Sequence, residues 1–380
     1  MHTAAAPGLS CAARERASCF VAYARHEDDP EVRALLRARP MAGWVSLSLE
    51  AEPDASLALE IEGERHTTVL VRERAGGALL GMGSRSVRRV YYDGQIARLG
   101  YLGRLRAAGG RRGLARLAAG FAAIEASRRS DELDFDLTSV VADNSAARRL
   151  LERGVRGLPS YRELCSLSTF LVPTGGRFQR TARVRAAADP ELGEIAAHLD
   201  ACQRELQFAP VWTEADLRSG ARCRGLAPGD FLVLRQAGEL VGCAAIWDQR
   251  AFKQVVVRGY APLLARTRPV VNLALRGLGQ PRLPRAGETL AIAHLSHLAV
   301  RDWDPEIAAE LIAAARARAA ERGLNLLALG ATESHPLRPL FARLPAREYR
   351  STLYCVQAPH KPVRGDALGG RIPHVEVATL

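Results

Sequence analysis

The chain of 380 residues has little lysine, few aromatics and no long apolar run. Only Lys253 and Lys361 are lysines, although the net charge is +12. Arginine carries that charge and, with abundant alanine and glycine, reads as the coding bias of a bacterial-type protein rather than a phosphate-binding face. Aromatics make up 6% of the residues and no basic segment is interleaved with them, which argues against general nucleic-acid binding. No apolar stretch reaches the roughly 18 residues that cross a bilayer, so no membrane partner is expected. Arg14, Glu15 and Arg16 interrupt the Ala-rich start, which speaks against a signal-peptide core and leaves a cytoplasmic address as the expectation. The seven cysteines form no CxxC pair and no Cys/His cluster, so neither a metal site nor a disulfide framework is expected.

What is present belongs to a packed globular protein, with 48% hydrophobic and 25% charged residues. The length suits two domains of roughly 100–200 residues each. Residues 1–16 read as a flexible lead-in. Strand-like runs follow at 19–24, 67–74 and 79–92, with a short helix at 30–38. Asp93-Gly94 marks a hairpin, because a type I′ turn needs two residues that tolerate positive φ. Strand 95–107 then leads through a glycine- and arginine-rich loop into a helix whose Leu114, Leu117, Ala118, Phe121 and Ile124 recur at helical spacing. Strand 134–142, a short helix over 144–154 and strand 163–172 complete this half. Pro173, Gly175 and Gly176 make 173–182 the linker. The element order then begins again. It runs through strand 182–187, a helical region 190–219, strands 230–235 and 239–248 and a helical insertion 262–278. Strand 289–300, a long helix 306–322, strand 324–331, a short helix near 337–343 and strand 347–357 follow. Residues 358–380 read as a tail.

The segment that points to chemistry runs from Leu105 to Ala115, after a strand and at the start of a helix. Its glycines let successive N–H groups face one concavity, the helix start adds unpaired donors, and Arg111 and Arg112 add full charges. A pyrophosphate suits such a site. A solvated strand-to-helix connection reads equally well from these residues alone.

In its surroundings the segment resembles the signature of the GCN5-related N-acetyltransferase family. That family's cofactor loop reads Arg/Gln-x-x-Gly-x-Gly/Ala after its fourth strand. Gly113, Leu114 and Ala115 match the second half of this pattern, while Gly110 stands where the family has Arg or Gln. Downstream, Asn144, Ala147 and Leu150 match the family's Asn-x-x-Ala-x-x-Leu-Tyr-x-x-x-Gly helix, and Gly154 stands one position before its glycine. The resemblance implies a thioester donor, acetyl-CoA or another acyl-CoA, lying where two strands splay. Leu105, Arg106 and Ala107 would hold its pantetheine arm. Gly110, Arg111, Arg112, Gly113, Leu114 and Ala115 would hold the pyrophosphate, and Asn144 would touch the arm. The family's general-acid tyrosine falls at Leu151, and strand 95–107 carries no carboxylate. Tyr161, Ser139 and Tyr101 are left as candidates for proton transfer.

The corresponding loop of the second half, Arg301-Asp302-Trp303-Asp304-Pro305-Glu306, has no glycine. Asp304 before Pro305 makes a helix start whose cap oxygen takes the donors that a phosphate would need. His294 and His297 read as core histidines.

The expected fold is therefore α/β (α+β): two tandem domains like those of the GCN5-related family, each a mixed, mostly antiparallel central sheet flanked by helices. Residues 17–172 form the acyl-CoA-binding domain and 183–357 a degenerate one. The expected activity is N-acyl transfer from acyl-CoA to an amine of a small molecule or peptide, without a metal and with oligomers open. Alternatives are an aminoacyl-tRNA-dependent transferase of the tandem type and a non-catalytic CoA-binding or interaction protein.

Overall fold

The computed structural model describes residues 19–380 apart from 39, 42, 108–112, 156, 176–182, 360 and 362–366. The first half begins with β1 (Cys19–Tyr23), α1 (Asp29–Ala38), β2 (Val45–Glu50) and α2 (Ala55–Glu62). It continues through β3 (Arg65–Glu73), β4 (Leu79–Tyr92), β5 (Gln95–Ala107), α3 (Gly113–Ala126), β6 (Glu132–Val141), α4 (Ser145–Glu152) and β7 (Ser160–Pro173). The second half comprises β8 (Val184–Ala186), α5 (Leu192–Gln203), α6 (Glu214–Leu217), β9 (Phe231–Gln236), β10 (Glu239–Trp247), β11 (Gln254–Tyr260) and α7 (Pro262–Gly277). It ends with β12 (Ile292–Val300), α8 (Pro305–Glu321), β13 (Leu326–Thr332), α9 (Arg338–Ala342) and β14 (Arg347–Gln357).

Local chemistry sets many of these boundaries. Asp93 and Gly94 take φ 51° and 77°, closing the β4–β5 hairpin at the Tyr92–Gln95 pair. Asp54 caps α2 by accepting from Ser56 N at 2.8 Å, and Pro262 opens α7 where a helix has no use for its missing N–H. Leu117, Phe121 and Ile124 of α3 are buried against Val69, Leu102 and Val356, while Leu114 is exposed at the helix start. The runs 45–50, 55–62 and 254–260, which carry no pattern strong enough to read from sequence, fold as β2, α2 and β11. β2 and β11 pair with each other across the two halves.

Among the described residues, twelve strands form one sheet in the order β1-β3-β4-β5-β6-β14-β7-β13-β12-β10-β9-β8. The two halves are fused through their last strands. β14 lies between β6 and β7, so it pairs with the first half along both edges, and β7 pairs antiparallel with β13 of the second half. Pro173, at the start of the expected linker, is part of that β7–β13 ladder, and Thr174 N continues it to Asn325 O at 3.1 Å.

The end of the stretch expected as a tail, from Ala367 on, is anchored in the interior. Ala367, Val375 and Val377 pack with Leu99, Tyr101 and Phe208, and Ala378 packs beside Trp247 and Phe252. Its turn-rich composition conceals this, because the apolar residues that anchor it are spaced irregularly.

Candidate functional site

β5 and β6 run parallel but share register only at Arg98–Glu132, Gly100–Asp136 and Tyr101–Leu137. Beyond that point β5 continues to Ala107 and β6 to Val141 without a further pair, so the sheet opens as a V. A buried charge cluster clamps the strands below the opening. Arg85 reaches across β5 to ion-pair with Glu132 at 2.6 Å and Asp136 at 2.9 Å, and Arg128 holds the other Asp136 oxygen at 2.8 Å. Gly100 lies beneath this crossing, where a Cβ would overlap Asp136 Oδ1 and the Arg85 guanidinium.

Above the clamp, β5 bulges. Met82 pairs with Arg106 and Ser84 with Gly103, so Gly83 alone opposes Arg104 and Leu105. Arg104 takes φ 55°, a left-handed conformation that costs a non-glycine residue about 1–3 kcal/mol. Its guanidinium donates to Glu62 Oε1 at 2.8 Å and to the Ala55 carbonyl at 3.2 Å, which offsets that strain.

Two of the three candidate proton-transfer residues meet at the mouth of the V. Tyr101 Oη and Ser139 Oγ lie 2.7 Å apart, and Ser139 N donates to the same phenol oxygen at 3.2 Å. Thr138 Oγ1 donates to the Leu102 carbonyl at 2.7 Å, so side-chain contacts span the strands where the ladder has ended. Burial pushes the Tyr101 phenol up, against the bond to Ser139 and the charge of Arg88, and keeps it protonated. Tyr161 does not join this pair. It packs on the α3 side of the sheet, with Phe121 at 6.3 Å and Tyr354 at 6.0 Å, and burial pushes its phenol up as well. Tyr354, from the exchanged strand β14, stands beside α4. It donates to Glu152 Oε1 at 2.6 Å and accepts from Arg148 Nε at 3.0 Å, whereas Leu151 is buried as ordinary core.

Of the expected donor-contacting residues, Leu105 is exposed, Arg106 half-buried, and Ala107 ends β5. Gly110, Arg111 and Arg112 lie outside the described residues. Gly113 begins α3, with Leu114 exposed and Ala115 half-buried in its first turn. Asn144 caps α4, its Oδ1 accepting from Ala147 N at 3.2 Å. On the α3 side a cleft of about 260 Å³, open to solvent, is lined by Leu102, Phe121, Glu125, Asp136 and Val356.

The other side of Tyr101 holds a buried polar cluster that sequence reasoning missed. The Arg88 guanidinium lies 5.1 Å from the Tyr101 ring centre and donates to Thr379 Oγ1 at 2.6 Å. Lys253 Nζ donates to the Leu380 carbonyl, and Gln249 Nε2 to the Ala378 carbonyl at 2.9 Å. Burial pushes the Glu62 carboxyl up, but the charges of Arg104, Lys253 and Arg88 prevail and hold it below its ordinary value. Burial lowers Lys253 to about 8 and Arg88 to about 10. Two signals were present in the sequence. Glu62 follows the apolar LALEI run without a partner in sight, and Lys253 is one of two lysines in an arginine-rich chain.

The second half repeats this geometry. β12 and β13 run parallel and pair only at Ile292–Leu326, Ala293–Leu327 and His294–Ala328. Past that point Cys243 pairs with Ala299 and Ala245 with Ser296, a bulge in which His297 takes φ 52°. Here the V is filled. Glu376 Oε2 accepts from the bulge amide His297 N at 3.1 Å, Glu376 Oε1 accepts from Ala378 N at 3.2 Å, and Val377 covers Gly330 of β13. The following helix is capped as expected, with Asp304 Oδ1 accepting from Glu306 N at 2.8 Å and Ile307 N at 3.3 Å. His297 is buried and His294 half-buried, and desolvation lowers both to about 3. His297 sits among Trp212, Trp247 and Phe231.

No family model matches the sequence, and no curated protein matches it. Solved structures do. N-myristoyltransferase of Saccharomyces cerevisiae with bound myristoyl-CoA aligns over 93% of this chain and 85% of its own, with a TM-score of 0.57 and 12% identity. The GCN5-related glucosamine N-acetyltransferase region of a fungal multi-domain β-N-acetylglucosaminidase aligns over 89% of this chain, with a TM-score of 0.58 and 13% identity. The alignment covers 38% of that larger protein. The architecture is thus that of the GCN5-related N-acetyltransferase fold. It is present twice, in the tandem arrangement that fits the match to N-myristoyltransferase over nearly the whole chain.

Proposed function

We propose that this protein is an acyl-CoA-dependent N-acyltransferase whose donor binds in the first half. The observation that carries the reading is the open V between β5 and β6. It bears a left-handed bulge at Arg104 and a strand edge left unpaired toward β6, and it leads into the Gly110–Ala115 segment and the start of α3. An unpaired strand edge takes an amide-rich arm as an added strand, and the N–H groups at a helix start take a pyrophosphate. The second half lacks both features in usable form, since its edge is occupied and its helix start is capped by its own Asp304.

In the reaction an amine nitrogen attacks the thioester carbonyl, a C–N bond forms, the C–S bond breaks, and one proton passes from the amine to the departing sulfur. Most of the catalysis is positioning of the two reactants. Tyr101 and Ser139, bonded to each other at the mouth of the V, relay the amine proton. The buried Glu62–Arg88–Lys253 cluster behind them provides a polar wall for an amine of a small molecule or peptide. Tyr354 protonates the departing sulfur from the α4 side, the role that Leu151 cannot fill. Acetyl-CoA is the donor of first choice, and the cleft beside Leu102 also leaves room for a longer acyl chain.

A thermal-shift titration with acetyl-CoA tests the reading, because a ligand at about a hundredfold excess over its Kd stabilises the folded state by roughly 2.7 kcal/mol. The shift is expected in the native protein and lost in Arg111→Glu/Arg112→Glu and in Gly113→Asp. Release of free thiol over a panel of amines then reports turnover. An equal shift in all variants places the donor elsewhere, and binding without thiol release is the mark of a non-catalytic CoA-binding protein.

A further inference from the structure

The helix α7 leaves a stripe of aliphatic residues exposed. Its half-buried side carries Leu264, Arg268, Val271, Asn272 and Leu275, and no residue of the helix is fully buried. That side is fastened by polar bonds. Asn272 exchanges two hydrogen bonds with the backbone of Leu283, at 3.1 and 2.7 Å, and Arg268 Nη1 donates to the Pro284 carbonyl at 2.7 Å. The solvent side carries aliphatics as well. Leu263 is 65% exposed, Val270 71% and Leu273 72%, and Leu278 just past the helix end is 73% exposed. At spacings of seven and three residues, Leu263, Val270 and Leu273 share one face. Trp44, 63% exposed, stands beside this face, because its carbonyl accepts from Ala261 N at 3.0 Å at the start of the helix.

The charged residues on α7 itself, Arg266, Arg268 and Arg276, have one sign, whereas Arg250 and Arg258 before it are already paired with Asp248 and Glu50. From Gln249 to Gly287 the sequence contains no Asp or Glu, but it contains Arg250, Lys253, Arg258, Arg266, Arg268, Arg276, Arg282 and Arg285. Arg266 and Arg276 are exposed on α7, and among the described residues neither has a carboxylate partner. The first acid beyond the stretch, Glu288, is drawn to Arg282 at 3.6 Å and to the Arg285 amide at 2.8 Å. A helix with exposed aliphatics on one side, one exposed cation among them and another at their edge, and an exposed tryptophan at its end has the chemistry of an interfacial membrane anchor. A soluble partner would have to match both the apolar stripe and the unpaired arginines. An anionic lipid surface matches both at once.

We propose that α7 and Trp44 dock the protein on anionic lipid bilayers, with Leu263, Val270 and Leu273 entering the headgroup–acyl boundary and Arg266 and Arg276 pairing with lipid phosphates. This revises the expectation that the protein has no membrane partner, which rested on the absence of a spanning segment. It stands apart from the acyl-transfer reading, since none of these residues belongs to the V.

Co-sedimentation of the full chain with lipid vesicles tests it. Vesicles of phosphatidylcholine with about a quarter phosphatidylglycerol should bind the protein, and pure phosphatidylcholine or high salt should weaken binding about tenfold or more. Val270→Asp/Leu273→Asp and Arg266→Glu/Arg276→Glu should each lower binding to anionic vesicles about tenfold or more. Unchanged circular dichroism and an unchanged acetyl-CoA thermal shift would show that fold and donor site are untouched. Failure to bind anionic vesicles at low salt, or equal binding by the variants, overturns the proposal. So does a protein dimer that Val270→Asp/Leu273→Asp dissociates, because the face would then belong to a second copy of the chain.

Discussion

The two halves carry the same opening in the sheet and use it in opposite ways. Tyr101 and His294 are each the last residue paired with the parallel neighbour, and the left-handed bulge residue follows three positions later, Arg104 in one strand and His297 in the other. In the first half the V holds a hydrogen-bonded tyrosine and serine, and its free edge runs toward a glycine-rich segment. In the second, a carboxylate sits on the bulge amide, a valine covers the glycine opposite, and the next helix caps itself. The repeated backbone creates an opening, and in the second half a handful of side chains fills it with the protein itself. The segment that closes the second V also brings Thr379 and Leu380 to Arg88 and Lys253 beside the first.

Substitutions can sharpen this contrast. The largest effect is expected at Gly100, where the second half has Ala293. Gly100→Ala puts a methyl group into the Arg85–Asp136 crossing and should cost about 3 kcal/mol or more in denaturant unfolding, because it breaks a buried ion pair as well as adding a clash. Gly330→Ala should cost about 2 kcal/mol by lifting Val377 off β13, and Val377→Ala in the same molecule should recover part of that loss, a non-additivity that a double-mutant cycle would resolve. If the two changes instead add independently, the closing segment does not rest on Gly330.

Smaller effects separate chemistry from packing. Tyr101→Phe should lower kcat about tenfold or more with the acetyl-CoA thermal shift retained, since it removes a proton-transfer group and leaves the strand edge intact. Tyr354→Phe should do the same, while Tyr161→Phe should change kcat by less than about twofold because that ring only packs. Glu376→Gln probes the carboxylate on the second bulge. Burial raises this group from its ordinary 4.5 to about 7, so between those values the folded protein keeps a proton that the unfolded chain releases. Stability from this site is therefore present below pH 4.5 and lost as the pH rises toward 7. Glu376→Gln, which cannot titrate and whose amide nitrogen cannot accept from one of the two backbone N–H groups, should be less stable than the native protein at pH 4.5 and should lose the native decline in Tm between pH 4.5 and 8.

Much of the fold was legible because its signals are local. The 262–278 helical run appears as α7 over Pro262–Gly277, the Asp93-Gly94 turn closes its hairpin, and strand 347–357 is β14 to the residue. The Asp304 cap was legible for the same reason, since a cap joins neighbours in sequence. Residues Val45–Glu50 and Gln254–Tyr260 were not, because each is a strand only through pairing with the other across some two hundred residues. The site divided in the same way. Tyr101 and Ser139 stood out as polar residues on adjacent strands, and the structure joins them. Tyr161 looked equivalent but points to the opposite face, because the one-residue stagger in its row of the sheet turns it toward α3. Glu62, Arg88 and Lys253 gave no motif, since they come from α2, β4 and the turn before β11.

What the sequence alone determined is the order of the elements other than β2, α2 and β11, the recurrence of that order in the second half, the glycine- and arginine-rich run in the first half and its absence from the second. Periodicity, turn residues and caps act over a few positions, so they can be read along the chain. Tertiary structure alone decided the exchange of β14 and β7 between the halves, the burial of Ala367 and of Val375 to Thr379, and the gathering of Glu62, Arg88 and Lys253 behind Tyr101. Those outcomes depend on which distant strands find complementary edges and which buried charges find partners. Both are settled by burial of apolar surface and by the cost of leaving a polar group unpaired, and neither leaves a periodic trace in the sequence.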